Sequence, residues 1–311
     1  MPQAIKPSAL RPGDQVRVLS LASPVQEDRL QKGCEEVTSL GFAPKVDSRT
    51  ALARGGFFAG PTADRVAALR QAFGDPAARA IFCARGGYGT NYLLDCIAEA
   101  PAAARIVLGA SDVTSLQVYL WQRFGWITFY GPMVATNFDR GAGASHGYDR
   151  ASLLSAITET RQGWAVNLQG ESLVGGAAEG VLLGGCLTLV ESTLGTPWEI
   201  DTTGAILTLE DRAMKPYQVD RALMHLKQAG KLQRVVGIVL GDFPECDAPA
   251  GSETVRDVAR RILGPLGVPI VWGAPIGHTS RAMLTLPLGV QASLSSAGEG
   301  ALKILEPACA A

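Results

Sequence analysis

The chain passes from strand to helix within one stretch, Arg105-Ile-Val-Leu-Gly-Ala-Ser-Asp-Val-Thr-Ser-Leu116. Its apolar run, Ile106 to Leu108, is typical of a strand that is covered on both faces. The residues from Gly109 to Ser111 then predict a sharp turn, and a helix begins near Asp112. A serine at such a corner holds its hydroxyl above the sheet, close to helix N-terminal amides that can donate to a developing oxyanion. The other interpretation is that Ser111 or Asp112 only caps the helix, and this stretch leaves both open.

Strands and helices alternate on both sides of this corner. The predicted strands share an apolar composition, and they are Val16 to Ala22, Ala43 to Val46, Ala80 to Ala84 and Trp126 to Tyr130. The helices between them make βαβ units, which predicts an α/β fold with a parallel sheet covered on both faces. Sites in such sheets lie at the carboxyl ends of the strands, so the corners at Gly86 and Gly109 should share one edge.

The length of 311 residues exceeds the usual size of one domain, so we expect two. Glycine residues interrupt the pattern between Asn137 and Gly176, and strands and helices resume at Glu179. We therefore predict a first domain over 1–160, a linker over 161–176 and a second domain over 177–311. The end of the chain, from Leu284 to Leu305, should form two antiparallel strands.

Composition argues against several classes of protein. The formal net charge is −1 and no basic run occurs, which disfavours nucleic-acid binding. No apolar run reaches the length of a membrane span, and the segment Met1 to Gly13 lacks the basic-then-apolar order of a secretory signal. We therefore expect a cytoplasmic protein without membrane contact. The six cysteines form no C-x-x-C pair and the three histidines show no metal-binding spacing, so we expect buried free thiols, no metal and no cofactor.

Three predicted strand ends carry reactive side chains in the order Ser111, Glu210 and His278. A serine, a carboxylate and a histidine in this order are one known arrangement of a nucleophilic triad. The imidazole removes the serine proton, and the carboxylate fixes the imidazole tautomer and stabilises its charge. The order alone is a weak signal, and Glu210 could instead form a structural ion pair with Arg212. The other two histidines, in a helix and in the glycine-rich region, end no predicted strand.

The segment Arg85-Gly-Gly-Tyr-Gly89 follows a predicted strand and allows two interpretations. Successive glycine amides could form a nest for a phosphate or a carboxylate. Glycine pairs are also common in simple tight turns between a strand and a helix. The segment is neither a G-x-G-x-x-G dinucleotide fingerprint nor a P-loop with its lysine.

Several motifs together resemble the LD-carboxypeptidases, the serine peptidases that include the muramoyltetrapeptide carboxypeptidases and the microcin-immunity hydrolases. They run in the family's order from about Val16 to Leu288. The motifs that carry the resemblance are Arg85-Gly-Gly-Tyr-Gly89, Gly109-x-Ser111-Asp112-x-Thr114, Tyr130-Gly-Pro-Met133, Gly184-Gly-Cys-Leu187, Gly195-Thr-Pro197, Leu209-Glu-Asp211, Pro216-Tyr217, Asp220-Arg221 and Pro275-Ile-Gly-His278.

The resemblance implies a role for each candidate residue. Ser111 would be the nucleophile, Glu210 the orienting carboxylate and His278 the general base. The backbone amides of Gly87 and Asp112 would form the oxyanion hole. It also implies a homodimer, with a Rossmann-like parallel sheet in the N-terminal domain, a smaller mixed α/β C-terminal domain, and a triad assembled across the cleft between them.

The sequence departs from the family pattern at two positions. Ala110 stands where an aromatic residue is usual, and Cys186 stands where an asparagine is common. Ala110 is smaller than an aromatic residue and is adjacent to the expected nucleophile. We therefore expect this difference to affect the shape of the substrate pocket more than the triad.

The function implied by the resemblance is that of a serine carboxypeptidase that needs no metal. It would cleave the L-to-D peptide bond at the C-terminus of murein tetrapeptide, a small peptide substrate, and release D-alanine. The same triad could act instead on a peptidyl-nucleotide or another acylated amino acid. A third alternative is a non-catalytic protein in which Gly86 to Gly89 hold an anion. A carboxypeptidase must also bind the terminal carboxylate, and Arg85 is the candidate unless it pairs with an acidic neighbour and only braces its loop.

Overall fold

The computed structural model describes residues 2–97, 101, 103–249 and 251–311. Five parallel strands form most of the first sheet, and they are β1 (Gln15–Leu19), β2 (Ala43–Val46), β3 (Ala78–Cys83), β4 (Ile106–Gly109) and β5 (Thr128–Tyr130). Their order, β5-β4-β3-β1-β2, is that of a common doubly wound fold. The predicted Rossmann-like parallel sheet is therefore confirmed.

The helices of this domain follow the apolar spacing of the sequence, and they are α1 (Glu27–Ser39), α2 (Thr62–Gly74), α3 (Asn91–Leu94) and α4 (Thr114–Phe124). In α1 the buried residues Leu30, Gly33 and Val37 lie on one face, as a surface helix requires. Burying a side chain such as Leu30 stabilises the fold by about 1.5–3 kcal/mol. In β4, Ile106, Val107 and Leu108 are all fully buried, which confirms the predicted strand beneath the Ser111 corner.

The second domain contains an eight-stranded mixed sheet. Its parallel centre consists of β8 (Ala177–Cys186), β9 (Ala205–Glu210), β10 (Gly237–Gly241) and β11 (Ile270–Ala274). Antiparallel strands flank this centre, and they are β6 (Ala165–Asn167), β7 (Glu171–Val174), β13 (Gln291–Ser295) and β14 (Ala301–Ile304). The predicted mixed α/β C-terminal domain is confirmed, and so are the two antiparallel strands at the end of the chain.

The helices of the second half are α5 (Arg150–Thr158), α6 (Leu187–Glu191), α7 (Pro216–Gln228) and α8 (Val255–Leu263). Two features differ from a simple division into domains. The segment 161–176, which we predicted as a linker, holds β6 and β7, so the chain joins the second sheet there. Near the other end of the chain, β12 (Leu286–Leu288) returns to the first sheet and pairs antiparallel with β5.

The two domains meet where β8 of the second lies against α4 and β5 of the first. The hydroxyl of Thr114 accepts a hydrogen bond of 3.1 Å from the amide of Cys186. Gly185 has a φ of +137°, and a Cβ there would lie 2.7 Å from the Thr114 side chain and 3.2 Å from the Tyr130 ring. A side chain at Gly185 would therefore push the two domains apart.

Two further expectations can be compared with the structure. All six cysteines are free thiols, and Cys83, Cys186, Cys246 and Cys309 are buried, whereas Cys34 and Cys96 are half-buried. Across the ranges that the structure describes, no helix is long and apolar enough to cross a membrane.

Candidate active site

Ser111 lies at the corner between β4 and a short 3-10 helix, Ser111–Val113, that leads directly into α4. Its φ is +61°, a left-handed conformation that costs a non-glycine residue about 1–3 kcal/mol. Strand, strained serine and helix in this order form the sharp turn that exposes a nucleophile above a sheet. Gly86 makes room for it, because a Cβ on Gly86 would lie 2.7 Å from the Ser111 Cβ and 2.9 Å from its Oγ. The expectation that the Gly86 and Gly109 corners share one edge is confirmed.

The alternative that Ser111 or Asp112 caps the helix is wrong. Neither side chain caps the 3-10 turn or α4. The buried Asp112 carboxylate instead accepts hydrogen bonds from the amide and hydroxyl of Thr90, at 2.8 and 2.6 Å. The Ser111 hydroxyl forms no hydrogen bond with any described residue, which leaves it free for a substrate.

Glu210 is the last residue of β9 and is fully buried. Its Oε2 accepts two hydrogen bonds from His278, one from the backbone amide at 2.8 Å and one from ring Nδ1 at 2.9 Å. Its Oε1 accepts a hydrogen bond from the hydroxyl of Tyr130. The alternative pairing of Glu210 with Arg212 is wrong, because Arg212 forms its ion pair with Glu245. Glu210 is thus held by the histidine that the sequence placed in the same triad.

Gly277 permits this contact. It has a φ of +60°, and a Cβ there would lie 2.2 Å from the Glu210 Cδ. The loop that carries His278 is braced further along by Asp242, which accepts hydrogen bonds from the hydroxyl of Thr279 and from the guanidinium of Arg281. The position of the imidazole is therefore set by several groups around it.

The electrostatics of His278 follow from this pairing. Burial on its own lowers the histidine pKa, but the charge and hydrogen bond of Glu210 outweigh it, and the pKa of His278 is raised above its ordinary value. Because a carboxylate can only accept, Nδ1 must carry the proton in the neutral ring. Nε2 is then left as the acceptor, the atom that a general base needs.

Ser111 and His278 line the same cavity, which has a volume of about 160 Å³. Further residues in its wall come from both domains, and they include Arg85, Gly87, Ala110, Met133, His146, Arg212, Glu245 and Met283. The Ser111 hydroxyl and the His278 ring are not in direct hydrogen-bond contact. Such contacts are often looser before substrate binds.

The amides expected to form an oxyanion hole have no internal partners. Neither the amide of Gly87 nor that of Asp112 donates to an acceptor in the described part of the chain. Gly87 has a φ of +115°, and a Cβ there would lie 2.2 Å from the Ser23 Oγ. Both amides are thus left without an internal acceptor among the described residues, and their role in an oxyanion hole stays a prediction.

Arg85 extends from the loop after β3 into the cavity wall. Its Nη1 donates to the carbonyl of Pro24 at 3.0 Å, and it forms no ion pair with a described residue. Burial, and then the positive charges of Arg29 and Arg212, lower the pKa of Arg85, although a guanidinium stays protonated. The other donors of this guanidinium form no hydrogen bond with a described residue, so an anion could accept hydrogen bonds from them.

Sequence reasoning missed several parts of this site. Tyr130 appeared only within a family motif, yet its hydroxyl reaches Glu210. His146, in the glycine-rich region, lies in the cavity wall, whereas His225 is exposed on α7 and bonds Glu191 at 2.9 Å. Local sequence carried no signal for these contacts, which join residues far apart in the chain. Among the described residues, no group of three metal-ligating side chains gathers.

Sequence comparisons identify the family. The LD-carboxypeptidase N-terminal domain matches residues 16–131, and the LD-carboxypeptidase C-terminal domain matches residues 179–294. A Streptomyces coelicolor protein, provisionally named a carboxypeptidase, is 38% identical over 99% of this chain and 98% of its own. The chain belongs to the LD-carboxypeptidase family.

Two further proteins similar to this LD-carboxypeptidase carry names that point to different substrates. A Bacillus subtilis protein named "Probable murein peptide carboxypeptidase" is 36% identical over 96% of this chain and 97% of its own. Among solved structures, the microcin C7 self immunity protein superposes with a TM-score of 0.87 over 98% of this chain and all of its own. At 22% sequence identity, this structural likeness shows a shared fold alone. The family resemblance noted from the motifs is confirmed, and with it the assignment as a carboxypeptidase, a hydrolase.

Proposed function

We propose that this LD-carboxypeptidase cleaves murein tetrapeptide by serine catalysis and releases D-alanine. The observation that carries the proposal is the hydrogen bond between Glu210 and His278, because His278 lines the same cavity as Ser111. A buried carboxylate, a histidine and a strained serine at a strand-to-helix corner match the parts of a nucleophilic triad. The name of the Bacillus subtilis relative supports a murein peptide as the substrate.

In the proposed reaction, Ser111 Oγ attacks the carbonyl carbon of the scissile bond while His278 Nε2 accepts the hydroxyl proton. The carbonyl oxygen becomes an oxyanion that receives hydrogen bonds from the amides of Gly87 and Asp112. Collapse of this intermediate breaks the C–N bond, and His278 returns the proton to the leaving amine of D-alanine. Water then hydrolyses the acyl-enzyme by the same proton path, which restores Ser111.

Glu210 has two roles in this scheme. Its two hydrogen bonds from His278 fix the ring with Nδ1 protonated, and its charge stabilises the imidazolium that forms during the attack. Preorganised groups of this kind act without rearrangement when the charge develops.

Arg85 would bind the terminal carboxylate of the substrate. It lines the cavity without an ion-pair partner among the described residues, whereas Arg212 is already bonded to Glu245. Charge-assisted bonds between a guanidinium and a carboxylate are strong and directional. An enzyme that requires a free carboxylate one residue beyond the scissile bond removes single C-terminal residues, which is the behaviour of a carboxypeptidase.

A second candidate substrate is a peptidyl-nucleotide or another acylated amino acid. The likeness of the fold to the microcin C7 self immunity protein favours testing it. The triad would do the same chemistry, and only the group beyond the scissile bond would differ. A non-catalytic anion-binding protein fits less well, because anion binding gives no reason for the paired Glu210 and His278.

Three aspects of the assembly complete the proposal. We propose a first domain over 1–160 and a second over 177–311. The segment between them, 161–176, adds β6 and β7 to the second sheet, and the family-domain matches over 16–131 and 179–294 lie within the proposed bounds. We also propose that the protein is a homodimer and acts in the cytoplasm, where murein fragments would be recycled. The family resemblance supports these two points.

The deciding experiment is mass spectrometry of murein tetrapeptide incubated with the purified protein. We expect the tripeptide and free D-alanine, and no product with Ser111→Ala. A fluorophosphonate should label Ser111 covalently in the wild-type protein. Labelling without cleavage of the tetrapeptide, combined with cleavage of a peptidyl-nucleotide, would establish the second candidate. If the protein is not labelled and cleaves neither substrate, the enzymatic proposal is contradicted.

A further inference from the structure

Tyr130 connects two parts of the site that come from different domains. It ends β5, beside β4, and its ring is fully buried against Gly185 of β8. Its hydroxyl accepts a hydrogen bond of 3.2 Å from the backbone amide of Ser111. The same hydroxyl donates to Oε1 of Glu210, the oxygen that His278 does not use. One phenol hydroxyl thus forms hydrogen bonds with both the backbone of Ser111 and the buried carboxylate of Glu210.

Packing alone does not require this hydroxyl. A phenylalanine would fill the same space, and a buried hydroxyl costs free energy unless it finds hydrogen-bond partners. The Tyr130 hydroxyl has two partners, one donor and one acceptor, and so is satisfied. Burial and then the charge of Glu210 raise the pKa of Tyr130 well above its ordinary value, so the phenol keeps its proton and remains a donor.

The contact with Ser111 also affects the choice of oxyanion donors. The Ser111 amide is occupied by Tyr130, whereas the amides of Gly87 and Asp112 have no internal acceptor among the described residues. Tyr130 therefore binds the Ser111 amide and leaves the amides of Gly87 and Asp112 free to bind the oxyanion.

We propose that Tyr130 is a positioning residue that aligns Glu210 and His278 of the second domain with Ser111 of the first. This proposal rests on the proposed function, because it assigns a role relative to the triad. Without the hydroxyl, Glu210 would lose the donor on Oε1 and the serine corner would lose its link to the carboxylate. His278 would then face a carboxylate whose charge is less well compensated.

The test compares Tyr130→Phe with Tyr119→Phe in the purified full-length protein. Tyr119 is a suitable control because it is also buried and its hydroxyl also donates one hydrogen bond, to the carbonyl of Ile97, outside the cavity wall. We expect Tyr130→Phe to lower kcat by about tenfold or more, the effect of losing one hydrogen bond to a charged group. KM should stay the same, because Tyr130 does not line the cavity. Tyr119→Phe should change neither constant.

The pH profile separates positioning from a general loss of structure. The charged groups that act on His278 are Glu210, Asp211 and Arg212, and none of them is altered in Tyr130→Phe. Since the Glu210 charge would be less well compensated, we expect the ascending limb of kcat/KM to move to higher pH. An unchanged kcat together with an unchanged limb would overturn the proposal.

A second variant covers the case in which Tyr130→Phe does not fold. Site-specific 3-fluorotyrosine at position 130 keeps the ring and both hydrogen bonds but makes the phenol a stronger donor. The limb should then move to lower pH, and a limb at the wild-type position would overturn the proposal. Glu210→Gln and His278→Ala are measured alongside. If they remain active, the proposed function itself fails, whereas their inactivity beside a fully active Tyr130→Phe rejects only the role of Tyr130.

Discussion

Oε2 of Glu210 lies 2.8 Å from the backbone amide and 2.9 Å from ring Nδ1 of His278, so one carboxylate oxygen holds both ends of the same residue. Residues 68 positions apart in the chain are joined in this way. The hydrogen bond from the backbone amide fixes where His278 lies. The hydrogen bond from Nδ1 fixes the tautomer of the ring and leaves Nε2 as an acceptor. The predictions that follow test whether this arrangement works with Ser111 as a catalytic unit.

Replacing Ser111 with alanine should abolish turnover and leave the fold intact. Removing the nucleophile of a serine peptidase costs several orders of magnitude in rate, on the order of 10⁶-fold in kcat. The change should be measured as kcat on murein tetrapeptide, with thermal unfolding as the check on the fold. Ser115→Ala is the matched control, because Ser115 is buried in α4 outside the cavity wall and should stay active. If Ser111→Ala keeps a tenth of the wild-type rate, another residue is the nucleophile.

Activity should rise with pH through the titration of His278. A protonated imidazole cannot accept the serine proton, and the raised pKa of His278 places the limb above the ordinary histidine value of about 6.5. In Glu210→Gln the charge that raises this pKa is gone, so the limb should move to lower pH while kcat falls. His225→Ala, at an exposed position on α7, should reproduce the wild-type profile. A rate that stays flat from about pH 5 to 8 would count against a histidine base.

Gly277→Ala should strongly lower the activity of the enzyme. Its Cβ would lie 2.2 Å from the Glu210 Cδ, so either the carboxylate or the His278 loop must move and their hydrogen bonds must break. We expect kcat to fall by tenfold or more, in line with about 1.5–3 kcal/mol for a hydrogen bond to a charged group. Gly267→Ala is the matched control, since its φ of +69° is similar but nothing lies within 4 Å of the added Cβ. It should lose about 1–2 kcal/mol of stability and no activity. Equal kinetics for the two variants would show that the close packing of Gly277 on Glu210 is not needed.

The enzyme should distinguish a free C-terminal carboxylate from its amide. A tetrapeptide amide cannot form the ion pair with Arg85, so its kcat/KM should fall by roughly tenfold for each 1.4 kcal/mol of lost interaction. A pentapeptide with one further D-residue should also be poor, because its carboxylate lies one residue too far from Ser111.

Two arginine variants assign this recognition to a residue. Arg85→Ala should remove the preference for the acid, whereas Arg212→Ala should largely keep it, because Arg212 is bonded to Glu245. Equal cleavage of acid and amide by the wild-type enzyme would exclude carboxylate recognition. A preference that survives in Arg85→Ala would move the role to another residue in the cavity wall.

The sequence by itself determined the local features of this protein. The apolar run of β4 followed by Gly109 and Ser111 predicts the strand, the turn and the helix, because each depends on residues that are neighbours in the chain. The order of Ser111, Glu210 and His278 at strand ends, together with the family motifs, predicts that these three residues form a triad.

Only the tertiary structure decided which side chains meet. Tyr130 bonds Glu210 across 80 positions of sequence, Arg212 pairs with Glu245 and not with Glu210, and β12 leaves its neighbours to pair with β5 in the other domain. Periodicity and turn chemistry act over a few residues, so they predict elements and their ends. Hydrogen bonds between distant residues depend on how the two sheets pack, and that packing is set where Gly185 allows β8 to lie directly against Thr114 and the Tyr130 ring.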